Sequence, residues 1–309
     1  MTSSARRPPA PRSMIMCYSN RLRDARLSHM SRNKHLRGFT LTELTIVLVI
    51  VALLLGGMLI PLSAQRDIQN VKETERQLSD MREALFGFAA SRGRLPCPDT
   101  NGDGVEESSP TITPNSPIAG QSTQQFATCS SAEGDFPFDT VGTPRQDSWG
   151  NRFRYRVTPS FSQSSVVWSG LNASGSVLSI DPGFSLNTAG NIAIRTRGDD
   201  PATASTTETK FVTNLASGIP AVIISQGKNG YGAHTADGPQ LSSPPASNVD
   251  EATNLDTSSS TKFSRLATQA ANPCSDTSEG TPLCEFDDIL IWVSPNVLYN
   301  RMISAGRLP

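Results

Sequence analysis

Between positions 39 and 61 the chain carries an almost wholly apolar run, FTLTELTIVLVIVALLLGGMLIP, with one carboxylate, Glu43, near its start. At about 1.5 Å rise per residue a helix of that length spans roughly 34 Å, enough to cross a bilayer core. Beyond Pro61 the pattern turns amphipathic. Ile68, Val71, Leu78, Met81, Leu85 and Phe88 recur at spacings of three, four or seven, with charges between them. The two patterns together predict one helix from about Phe39 to Ala90, bent near Gly56, Gly57 and Pro61. Residues 39–61 form its transmembrane half. Residues 62–91 form an amphipathic half packed on a globular head.

After Gly93 the composition shifts to Gly, Pro, Ser, Thr and Asn, and short strand-like runs follow. RFRYRV places Phe153, Tyr155 and Val157 on one face by period-two alternation, and SVVWSG and NIAIRT read similarly. AVIIS (Ala221 to Ser225) and DILIWVS (Asp288 to Ser294) read as buried strands. SPNVLYNRMISAG predicts a C-terminal helix with Ser294 as N-cap, Pro295 in the first position and Gly306 as the stop. The head, 92–309, is therefore β-rich, and the stretches near 199–210 and 232–262 read as polar surface loops. The fold class is α+β: a long N-terminal helix packed on an antiparallel sheet.

Charge sharpens this division. The 309 residues carry a formal net charge of −1. Residues 1–38 hold nine Lys/Arg against one acid, Asp24, so that segment sums to +8 and the rest to −9. A basic flank before an apolar run stays on the cytoplasmic side under the positive-inside rule. It lacks the interleaved aromatics of a nucleic-acid-binding arm, so no nucleic-acid partner is indicated. Met30 is an alternative start, which would leave 1–29 outside the translated leader. Four of the five cysteines, Cys97, Cys129, Cys274 and Cys284, follow the apolar run. An even number on the exported side predicts two disulfides. Of three possible pairings, the sequence-local Cys97–Cys129 and Cys274–Cys284 close the shortest loops. A zinc site would need C-x-x-C or His-x-x-x-His spacing, which does not occur.

A basic leader ending in Gly38, then Phe39, then Glu43 as the fifth residue from Phe39, then an apolar helix: this arrangement resembles the prepilin signal of type IV pilins and type II secretion pseudopilins. The resemblance covers about 25 residues without a gap. It implies a pilin-like fold, with 39–61 as the filament-core part of the helix. It implies cleavage after Gly38 by a prepilin peptidase, N-methylation of Phe39, and a role for Glu43 in assembly with other pilin or pseudopilin subunits. A carboxylate inside a span costs on the order of 2.5–3.5 kcal/mol at its centre, less near an end. Cleavage would create a partner for it, the amine of Phe39 on a neighbouring subunit. The implied location is the inner membrane, single pass, with the leader cytoplasmic and the head periplasmic, and later a filament or the cell surface. DSWGNRFRY resembles the D-x-W-G-x-x-x-x-Y turn of pilin-like heads, with Trp149 as a structural anchor. RLPCPD and GDFPFDTVG resemble elements of larger proteins of this type. The resemblance points to a minor pilin; a secretion-system pseudopilin and a pilin-mounted adhesin are the alternatives.

Other chemistry is sparse. Asp99, Asn101, Asp103 and Gly104 stand at positions one, three, five and six of a calcium-type loop, but Pro110 occupies the twelfth. Glu106 or Glu107 is the available substitute, and a plain turn is the competing reading. Asp287 and Asp288 are two further acids open to a calcium role or to capping. QGKNGYG fails as a phosphate loop, because Val222 stands at its first glycine position and Asn229 follows Lys228. Two of the three histidines, His29 and His35, lie in the leader, leaving only His234 for the head. No catalytic constellation emerges, and the reading is of a non-enzymatic protein that requires no cofactor.

Overall fold

The computed structural model describes residues 39–109, 123–126, 128–169, 176–198, 210–236, 238–268, 271–278 and 280–308. For 55–64, 109, 123–126, 164–169 and 176–181 it describes the backbone alone. The leader 1–38, with Gly38 and the Met30 start, lies outside these residues, as does the polar stretch 199–209.

In chain order the elements are α1 (Leu41–Arg92), β1 (Ser108–Ser109), β2 (Thr123–Phe126), β3 (Thr128–Cys129), β4 (Glu133–Asp135), α2 (Phe138–Val141), β5 (Arg154–Val157), α3 (Pro159–Ser162) and β6 (Ser164–Ser169). There follow β7 (Ser176–Pro182), β8 (Ile192–Gly198), β9 (Phe211–Ile219), β10 (Ala221–Ser225), α4 (Val249–Leu255), β11 (Thr261–Phe263), β12 (Ile289–Trp292) and α5 (Pro295–Ser304). The chain divides into two compact units, 1–57 and 58–309, and the division falls within α1.

In the first unit the described residues from Phe39 to Leu54 are exposed, Leu41 to 80 % and Leu53 to 72 %. Among the described residues no helix is long and apolar enough to cross a membrane. The span expected over 39–61 runs into 55–64, whose side chains are outside the description, and so does the expected bend at Gly56, Gly57 and Pro61.

In the second unit α1 buries one face. Thr74, Leu78, Met81, Leu85 and Ala89 are all at or below 1 % exposure, at spacings of four, three, four and four. Ile68 and Val71, expected on that face, are instead exposed, so burial starts a turn later than the pattern indicates. The helix stops where Gly93, at φ 76°, takes the left-handed conformation and donates to the Ala89 carbonyl. Arg307 then donates to the carbonyls of Ala90 and Ser91, so the C-terminus of the chain caps this helix end.

The buried face of α1 packs with Phe136, Phe153, Tyr155, Ile223 and α5 into the main core. The sheet beneath it is antiparallel, in the order β12-β10-β5-β4. Both faces of β10 are covered. Ala221 and Ile223 join the main core, while Val222 and Ile224 join Ile192, Ile194 and Ile219 in a second one. That second layer is a sheet of order β11-β8-β9, in which β11 runs parallel to β8. The head is therefore not purely antiparallel. Two further antiparallel sheets, β1-β3 and β2-β6-β7, complete it. α5 starts after Ser294 with Pro295 in its first turn, though the Ser294 hydroxyl makes no capping bond, and Gly306 follows at φ 67°. β12 matches its predicted position but is half-buried, not buried, because it is an edge strand.

The stretch 232–262 is a surface loop only in its first half, where 239–246 are mostly exposed; from Asn248 onward it is not. It contains α4 and β11, and Asn248, Asp250, Glu251, Asn254 and Lys262 are all at or below 3 % exposure. Its polarity does not exclude it from the interior because its polar groups are paired there.

Candidate functional site

The start of α1 is built by reciprocal capping. Thr40 is the last residue before the helix, and its backbone N–H donates to Glu43 Oε2 at 2.9 Å. Its hydroxyl donates to the same oxygen at 2.9 Å and accepts from the Glu43 N–H at 3.3 Å. T-x-x-E at a helix start is the capping-box pattern, and it satisfies amides that have no partner within the helix. In sequence Glu43 is paired only with an amine on a neighbouring subunit, although the T-x-x-E spacing from Thr40 carries the capping signal. Phe39, 85 % exposed, stands directly before this cap. The expected cleavage residue Gly38 lies outside the described residues.

The four cysteines beyond the apolar run form Cys97–Cys129 and Cys274–Cys284, with Cα separations of 5.2 and 4.9 Å. The D-x-W-G turn is held by Asp147. Its carboxylate accepts from the N–H groups of Trp149 and Asn151, both at 2.9 Å, and from the Ser225 hydroxyl at 2.7 Å. Burial pushes the Asp147 carboxyl up. The turn thus ties β5 to the end of β10, and Thr74 of α1 donates to Ser148 at 3.1 Å. Its role is architectural.

The calcium-type loop spends its oxygens on its own backbone. Asp99 accepts from the N–H groups of Asn101, Gly102 and Gly104 at 3.1, 2.6 and 2.7 Å. Asn101 accepts from Asp103 N–H, and Asp103 from Val105 N–H. Gly104 is required here: at φ 88°, a Cβ would lie 2.4 Å from the Phe138 ring. Glu106 is engaged by both terminal nitrogens of Arg94, at 2.7 and 2.8 Å, and Glu107 by Thr100. Asp99, Asn101 and Asp103 thus form a turn bonded to its own backbone, with Glu106 held by Arg94 and Glu107 by Thr100.

Among the described residues one set of three potential metal-ligating side chains converges within 4.8 Å: Glu251, Asp287 and Asp288. Glu251 accepts from Asn248 Nδ2 at 2.6 Å and from the Asp287 N–H at 3.1 Å. Asp287 accepts from the Asn229 N–H at 2.7 Å, and Asp288 from Asn254 Nδ2 at 2.8 Å. Burial pushes the carboxyl of Glu251 up to about 7 and that of Asp287 up to about 6, and drives Asp288 well above the usual carboxylate range. The sequence reading contains Asp287 and Asp288 but not Glu251, which sits inside the segment read as a loop. No spacing rule links position 251 to 287.

Nearby, Glu133 is shared by three buried cations: Arg154 at 2.5 Å, Arg156 at 2.8 Å and Lys262 at 3.0 Å. His234 pairs with Asp135 at 3.0 Å and is part-exposed.

Against known families, residues 33–59 match the model of the prokaryotic N-terminal methylation motif. The chain therefore carries a prepilin signal of the type IV pilin and pseudopilin kind, which goes with a structural subunit of the cell envelope or surface. No curated protein and no solved structure matches the chain.

Proposed function

We propose that this chain is the precursor of a minor pilin, a non-enzymatic subunit of a type IV pilus-like filament. A prepilin peptidase cleaves between Gly38 and Phe39 and N-methylates Phe39. The apolar part of α1 sits in the inner membrane, with the head in the periplasm, until assembly. Glu43 then meets the new amine of a neighbouring subunit, exchanging its intramolecular bonds to Thr40 for an ion pair in a low-dielectric bundle. The observation that carries this reading is the ungapped Gly38-Phe39…Glu43 signal at the head of an exposed apolar helix. A head of this size would crowd a densely packed filament, which favours a minor position over that of a major subunit.

The test is the mature N-terminus by mass spectrometry, in cells with and without their prepilin peptidase. A chain starting at methylated Phe39 only when the peptidase is present is the expected result. A chain that keeps its leader, or is cut after Pro61, overturns the proposal.

A further inference from the structure

A cavity of about 790 Å³ lies beside α1 in the second unit. α1 contributes Asp67, Val71 and Glu75; the strap 264–268 and the segment 285–290 contribute further walls, with Trp149 and Lys228. The strap is fixed in place: Arg265 and Thr268 donate to the Cys284 carbonyl at 2.8 and 2.6 Å.

Three properties of this groove point to one kind of occupant. The first is charge. Asp67, Glu75 and Glu285 line it with two cations that are already engaged, and the deeper Asp287 and Asp288 add acids whose neutral form burial favours. Lys228 pairs with Asp67 at 2.7 Å, and Arg265 with Asp250 and Asp276 at 3.4 and 3.2 Å. Among the described residues no lysine or arginine forms an ion pair with Glu75, Glu285, Asp287 or Asp288. The second is an apolar lining: Leu266 is 89 % exposed, Val71 is exposed, and Ile289 and Leu290 are half-buried. The third is hydrogen bonding. The Trp149 Nε1–H and Arg265 Nε–H donors and the Asp287 Oδ1 acceptor are buried without a partner. A polypeptide backbone offers both carbonyls and N–H groups to such a set, whereas a metal ion answers only the acceptor. Anionic lipid and nucleic acid are repelled by the same acids.

We propose that this groove docks a polypeptide segment of a partner protein that carries Lys or Arg beside a large apolar side chain. The cationic groups meet Glu75 and Glu285, and the apolar side chain meets Leu266 and Leu290. The proposal stands on the groove and holds whether or not the leader is processed as proposed above.

The experiment uses the full chain in non-ionic detergent and three fluorescent hexapeptides that alternate leucine with lysine, serine or glutamate, read by anisotropy. The lysine peptide is expected to bind at least about ten-fold tighter than the other two, and to weaken as salt rises from about 0.05 to about 0.5 M. Glu75→Lys with Glu285→Lys weakens it about ten-fold, and Leu266→Ser, at an exposed site that does not threaten folding, weakens it several-fold. Asp139→Lys, an exposed reversal outside the groove, changes nothing. Equal binding of the three peptides, or indifference to the Glu75 and Glu285 reversals, overturns the proposal. So does displacement of the peptide by spermine or Ca²⁺ at its own affinity, since either would make the groove a site for small cations.

Discussion

The first part of α1 and the segment 232–262 invert the usual relation between polarity and place. From Leu41 to Leu54 a string of Leu, Ile and Val lies exposed. From Asn248 to Lys262 a string of Asn, Asp, Glu and Lys contains side chains that are almost fully buried. Among the described residues nothing covers the apolar string, and under the proposed function lipid, then neighbouring helices, takes up its surface. The polar string meets partners from other elements, Lys262 meeting Glu133 and Asp250 meeting Arg197 at 2.9 Å. Composition therefore states what a segment requires, and the fold decides whether the chain supplies it.

The contrast can be broken most sharply at Glu133. Glu133→Ala leaves Arg154, Arg156 and Lys262 buried without their shared anion. A loss of about 3–5 kcal/mol is expected in urea unfolding of the full chain. An effect below about 1 kcal/mol would show that these cations find water or other partners. Next are the disulfides. Opening Cys97–Cys129, which closes a 32-residue separation, should cost about 4 kcal/mol, and opening Cys274–Cys284, separation 10, about 3. Unfolding of the paired Cys→Ser variants checks both the size and the order.

The acid cluster gives a pH signature. Glu251, Asp287 and Asp288 all have folded-state pKa values above those of the unfolded chain. The folded protein then binds more protons between about pH 4 and pH 7, so the cluster's contribution to stability is complete below pH 4. The Asp287 and Glu251 parts are lost as pH rises through about 6 and 7 respectively. For Glu251 the loss is on the order of 2 kcal/mol after allowance for solvent screening. Glu251→Gln should flatten the slope of urea midpoint against pH, and an unchanged slope would remove this account. The smallest effect belongs to the helix start. Thr40→Ala removes the hydroxyl part of the capping box, worth about 1 kcal/mol locally. It should speed amide exchange at Glu43 and Leu44 while leaving the head unfolding midpoint unchanged.

The sequence by itself determined the elements whose signals are local. A long helix, the strand AVIIS with its uniform apolar run, Pro295 opening α5 and the two short-range disulfides all rest on neighbours a few to a few tens of residues apart. The Gly38-Phe39…Glu43 signal is of the same kind, since it is read from six consecutive residues. Tertiary structure alone decided the rest. It shifted the buried face of α1 from Ile68 to Thr74, because the head packs only that far down the helix. It also drew Glu251 to Asp287 and Asp288, and Lys262 to Glu133 across 129 positions. A polar residue looks solvent-exposed in sequence because burying it unpaired is costly. Whether a partner waits in the interior depends on elements that meet only when the chain has folded.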